Sequence, residues 1–138
     1  MTDPATLLAL ADRCEQAAGP DRELDARIEC AVQGITFRKL LGPYAYRTSR
    51  GDIGLINAKR YTAWIDAAVT LVPEGYYWQA ANGKRRHSEP QACADLFVAH
   101  GPNRGDMSFT ADAATAALAL CAAALRARAA MAQSSSIA

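Results

Sequence analysis

Imidazole and thiol chemistry is scarce in this chain: two histidines, His87 and His100, and four cysteines, Cys14, Cys30, Cys93 and Cys121. His87 lies in the basic segment "KRRHSEP" beside Ser88, but chain neighbours rarely face each other as nucleophile and base. His100 precedes "GPNRGD" and its Asp106. A Cys93/His100 pair or a Ser/His/Asp set therefore needs a convergence in space that this spacing does not itself supply. The cysteines are far apart and none forms a CxxC pair, so they read as small core hydrophobes with free thiols, not as zinc ligands. The glycines of "RGDIG" (50–54) lack the spacing and the strand-to-helix context of a phosphate-binding loop. The reading is a non-enzyme with no catalytic residues, no metal and no cofactor; a small enzyme built by tertiary convergence is the remote alternative.

Charge is more informative. The formal net charge is only +1, yet residues 1–34 hold seven acids against three arginines. Residues 35–62 reverse this, with Arg38, Lys39, Arg47, Arg50, Lys59 and Arg60 against Asp52 alone. A second basic knot, Lys84, Arg85 and Arg86, follows. Segregated charge bears on partners more than the net sum does. The expected partner-binding set is Arg47, Arg50, Lys59, Arg60, Lys84, Arg85 and Arg86, drawn together from two segments. Tyr44, Tyr46 and Tyr61 interleave with these cations, a mixture that suits nucleic acid. The overall isoelectric point of about 7.7 is low for a dedicated nucleic-acid binder. The rival surface is an acidic face of Glu15, Asp21, Glu23, Asp25 and Glu29, suited to a basic protein or to the basic segment of a second copy.

The elements that must carry these residues are well punctuated. Asp3 and Pro4 open a first helix that Gly19-Pro20 ends, with Leu7, Ala11, Cys14 and Ala18 as its stripe. Asp21 caps a second, with Leu24, Ile28 and Val32 inward and Gly34 as the stop. Residues 35–60 show no helical stripe and read as a long basic loop, with a short strand in "YAYRT". Thr62 opens a helix over 62–72 that Pro73 and Gly75 stop, followed by an aromatic strand, "YYWQAA" (76–81). A turn over "NGK" leads to a returning strand at 91–100. A last helix, capped by Thr110 or Asp112, places Leu118, Cys121, Ala122, Leu125 and Ala129 on one face, and residues 132–138 read as a flexible tail.

The 138 residues suit one domain, divided into acidic helices (1–34), the basic loop (35–60), a helix–strand–strand–helix unit (61–131) and the tail. A two-stranded ribbon needs a cover, so the expected fold class is α+β: a small antiparallel sheet packed between or against helices. The two strands should pair and Trp64 and Trp78 should be buried. No apolar run approaches the roughly 18 residues that cross a bilayer, and no secretory leader pattern opens the chain, which predicts a cytoplasmic protein without membrane association.

Three blocks carry a resemblance: "GPDRELDARIECAV" (19–32), "YTAWIDAAVTLVPEGYYW" (61–78) and "ATAALALCAAALRARAAM" (114–131). In this order they resemble small phage and prophage proteins of unknown function, which are similar in turn to the phage ABA sandwich domain. Trp64 replaces a usually small residue, Ala116 stands where proline is frequent, and Tyr76-Tyr77 flank the usual tryptophan. The resemblance implies an α/β/α sandwich acting in the cytoplasm of a bacterial host, and carries no catalytic residues. The functional expectation is an accessory binding module, for example an inhibitor of a host defence or regulatory complex, whose partner is a host or phage protein. A nucleic-acid-binding module using the basic segments is the alternative, and self-association is compatible with either.

Overall fold

The computed structural model describes residues 3–34, 37–40, 45–48, 53–55, 59–82, 92–98 and 108–137, with 37–40, 45–48, 53–55 and 134–137 described by their backbone. Helix α1 (Pro4–Gln16) begins where Asp3 accepts hydrogen bonds from Ala5 N (3.3 Å) and Thr6 Oγ1 (2.9 Å). Helix α2 (Arg22–Gln33) begins at Asp21, whose carboxylate accepts from Glu23 N (2.9 Å) and Leu24 N (3.2 Å). Gly34 closes it in the left-handed region (φ 74°), where a side chain would be strained. Leu7, Ala11, Cys14, Leu24 and Ile28 are buried as their spacing predicts, whereas Ala18 lies beyond α1 and is exposed.

The segment expected as a long loop holds three short strands, β1 (Phe37–Leu40), β2 (Ala45–Thr48) and β3 (Ile53–Leu55), in an antiparallel meander. Four-residue strands leave too little alternation to stand out in sequence; only the one within "YAYRT" was legible. The helix expected over 62–72 is a single turn and a half, α3 (Ile65–Val69), flanked by turns. It packs against the last helix and not on the sheet.

Strands β4 (Tyr76–Asn82) and β5 (Ala92–Val98) pair antiparallel through seven consecutive residues, as expected. A third strand, β6 (Phe109–Ala113), joins them in the order β4-β5-β6. These residues were expected to start the last helix; Thr110 and Asp112 instead sit in a strand. Helix α4 (Ala116–Ile137) starts later, with Leu118 N donating to Thr115 Oγ1 at 3.2 Å, and runs through most of the expected tail.

Helix α4 is the centre of the molecule. It touches α1, α3 and all three strands, so Leu118–Leu125 are buried all round and not on one stripe alone. Alanine at half of these positions lets the neighbouring backbones approach closely. The architecture is α+β, a small antiparallel sheet packed against α4 and α1. Register puts Ala92, Ala94, Leu96, Ala111 and Ala113 on the helix side, where all are buried. Among the described residues no helix covers the opposite face, which carries Tyr77, Gln79, Cys93, Asp95 and Phe97.

The burial expected of the two tryptophans is corrected. Trp64 is 62% exposed and Trp78 39% exposed. Trp64 holds the extended position before α3 (φ −124°, ψ 132°), outside the helical periodicity that would have turned it inward. Trp78 lies on the outermost strand, and α3 is too short to cover it.

Candidate functional site

The densest polar cluster joins α2 to residues 61–62. Asp25 is only 1% exposed and Thr62 is fully buried. Asp25 Oδ1 accepts from Thr62 N (2.8 Å) and from the Thr62 hydroxyl (2.7 Å), while Oδ2 accepts from Arg22 Nη1 (3.0 Å). The Thr62 oxygen in turn accepts from Asp21 N at 2.9 Å. Thr62, expected as a helix cap, thus has its single proton and a lone pair committed to α2. Beside it the buried Tyr61 hydroxyl donates to Glu29 Oε2, and the Cys121 thiol donates to Tyr61 O at 3.1 Å. Burial, then the Glu29 contact, raises the Tyr61 phenol far above its ordinary range. The Cys14 thiol and burial raise Cys121 in the same way. A phenol and a thiol held neutral are poor nucleophiles, and their hydrogen bonds make this cluster a polar weld between α2, residues 61–62 and α4.

A second weld closes one edge of the sheet. The Arg126 guanidinium reaches Glu15, Asp12 (3.1 Å) and Thr110 O (3.2 Å), and Glu15 Oε2 accepts from Asp112 N at 3.1 Å. The Arg126 contact holds the Glu15 carboxyl below its usual range although burial opposes it. Glu15 correspondingly raises Arg126. Arg128, lowered by burial, donates from Nε to Leu71 O at 2.6 Å and ties α4 to the end of the α3 segment.

These contacts account for the acidic residues expected to form a partner face. Glu15 holds Arg126, Asp21 caps α2, Glu23 pairs with Arg13 (3.3 Å) and Arg27 (3.6 Å), Asp25 is buried, and Glu29 holds Tyr61. Their charge is largely answered within the fold. The segments 19–32, 61–78 and 114–131 meet at these contacts, through Asp21, Arg22 and Asp25, then Tyr61, Thr62 and Leu71, then Cys121 and Arg128.

The basic set has a different fate. Lys59 and Arg60 are exposed, and among the described residues neither forms an ion pair. Arg47 lies on β2, with Lys39 directly opposite it in the register of β1. Arg50, Lys84, Arg85, Arg86, His87 and His100 lie outside the described residues, so the expected convergence of the two basic segments does too. Among the described residues no cluster of histidine, cysteine and carboxylate groups has the arrangement of a metal site. None of the four cysteines forms a disulfide; Cys14, Cys30 and Cys121 are buried, and Cys93 is half-buried on the open sheet face.

Sequence reasoning missed Asp25 as the centre of the larger weld. A signal was present: it falls between Leu24 and Ile28, inside the buried arc of α2, where an unpaired carboxylate is not tolerated. No family model, curated protein or solved structure matches the chain. No helix among the described residues is long and apolar enough to cross a membrane.

Proposed function

We propose that the chain is a non-enzymatic binding module, a phage or prophage accessory protein that engages an anionic surface of a host or phage protein. One observation carries the reading: the acids are consumed by welds, while Lys59 and Arg60 at the end of the basic segment stay exposed and unpaired among the described residues. The register of β1 and β2 adds two basic positions to this set, Lys39 and Arg47, paired across adjacent strands. The phage origin and an inhibitory role against a host complex rest on the resemblance of the three blocks. Nucleic acid is the second reading, favoured by Tyr44, Tyr46 and Tyr61 interleaved with the basic residues along the sequence.

The test is capture from bacterial lysate on immobilised protein, with and without nuclease, using the wild type and a Lys59→Ala/Arg60→Ala variant. A nuclease-resistant, salt-sensitive partner that the variant loses supports the protein reading, and loss of all capture on nuclease treatment moves the assignment to nucleic acid. Equal capture by the variant at low salt rejects the basic segment as the binding surface.

A further inference from the structure

The two edges of the β4-β5-β6 sheet are treated differently. At β6 the outward groups Thr110 O and Asp112 N are taken up by Arg126 and Glu15. At β4 no described strand or side chain does this. The unbroken register shows which groups are left. Thr110 and Asp112 face away from β5, so Ala111 and its partner Ala94 bond each other. Cys93, Asp95 and Phe97 then bond Ala81, Gln79 and Tyr77 of β4. The amides and carbonyls of Trp78 and Ala80 therefore point out of the sheet.

This edge lacks the usual protection. It is seven residues long, pairs without a bulge, and contains no proline, lysine or other charged side chain. It is also its own complement. When the strand is laid antiparallel against a copy of itself about Gln79, Trp78 meets Ala80, Tyr77 meets Ala81 and Tyr76 meets Asn82. Each large ring faces a small or short side chain, and Trp78 and Ala80 exchange backbone hydrogen bonds on both sides of the axis. A shift of the centre to Trp78 sets two indoles against each other and shortens the pairing. With no charge on the strand, self-pairing brings no like charges together, and nothing selects a charged foreign strand.

We propose that β4 is a self-association surface, pairing with β4 of a second copy about a two-fold axis at Gln79 to give a continuous six-stranded sheet. The pairing covers Tyr77 (53% exposed) and Trp78 on opposite faces of the strand. One strand edge with two aromatics per copy is small against the ~800 Å² per partner of a standard interface, so the dimer is a weak one, dissociating in roughly the micromolar range. This inference is independent of the anionic partner, which is placed on other residues.

Sedimentation equilibrium over about 1–300 μM, a span that brackets a micromolar constant, should show the mass rising from 14.7 kDa towards twice that value. Ala80→Pro removes an outward amide while sparing the β4–β5 ladder, and should stay monomeric with an unchanged circular dichroism spectrum. Gln79→Cys, in a Cys93→Ser background, keeps the test decisive if the proline variant fails to fold. Treated with oxidised glutathione, which takes up the two electrons, it should form an intermolecular disulfide much faster than Tyr77→Cys or Ala81→Cys. A wild type that is monomeric throughout overturns the proposal. So does a dimer that cross-links equally at all three positions or not at all.

Discussion

The seam between α2 and residues 61–62 and the outer strand β4 lie only some 15 residues apart in sequence, yet they handle polar and aromatic groups in opposite ways. In the seam a carboxylate, a hydroxyl and a phenol are buried, and every one is bonded. On β4 two large rings and a row of backbone groups are left at the surface. Burial of a charge is tolerated only where partners are built in, so the seam's residues are fixed by folding. Apart from the stacking of Tyr77 on Phe97 (ring centroids 6.0 Å apart), the exposed rings and edge groups of β4 gain little within the isolated fold, which directs attention to them as contact surface.

The contrast breaks most sharply at Asp25. Asp25→Ala strips the acceptor from the buried Thr62 amide and hydroxyl and from Arg22. A loss of about 3–5 kcal/mol is expected from denaturant unfolding, the scale for breaking a buried pair. A loss below ~1 kcal/mol, the level of an exposed pair, shows that the seam is not a weld.

Glu15 sharpens the comparison as an intermediate case, since it and Arg126 are only partly buried. Its carboxyl is lowered in the folded state, so its contribution is present above the unfolded carboxylate range and is lost as the pH falls through the folded value. Glu15→Gln should cost about 1 kcal/mol near neutrality, discounted for solvent exposure, and the gap to wild type should close on acidification. A gap that persists or widens towards low pH contradicts the assignment.

The smallest effect belongs to Trp64. Trp64→Ala should shift stability by no more than about 0.5 kcal/mol, as expected for an exposed side chain, and should abolish the more quenchable part of the acrylamide-sensitive emission. A large destabilisation means that the ring is buried after all, and the surface reading of the aromatics fails with it.

Much of the helical part was legible because its signals are local. Asp3, Asp21 and Gly34 set boundaries through side-chain caps and a left-handed turn, which need no distant partner. The β4–β5 pairing was legible for the same reason, from two runs joined across a turn. β6 was not, since "FTADA" has little apolar weight and becomes a strand only by joining β5 and by the reach of Glu15 and Arg126 to its edge. The acidic cluster misled because charge is counted along the chain whereas its partners come from across it: the Tyr61 hydroxyl donates to Glu29, and Arg126 pairs with Glu15 from the far end.

By itself, then, the sequence determined the first two capped helices, the existence of the last helix, the main hairpin and the separation of acidic from basic segments, all products of short-range periodicity and side-chain type. Tertiary structure alone decided which charges are spent and which remain. Asp25 is buried, Lys59 and Arg60 stay free of ion pairs among the described residues, one sheet edge is sealed, and the other presents Trp78 and Ala80 outward. Those outcomes depend on which groups the fold brings within hydrogen-bond reach, a matter of distances of about 3 Å between residues far apart in the chain, which no local pattern encodes.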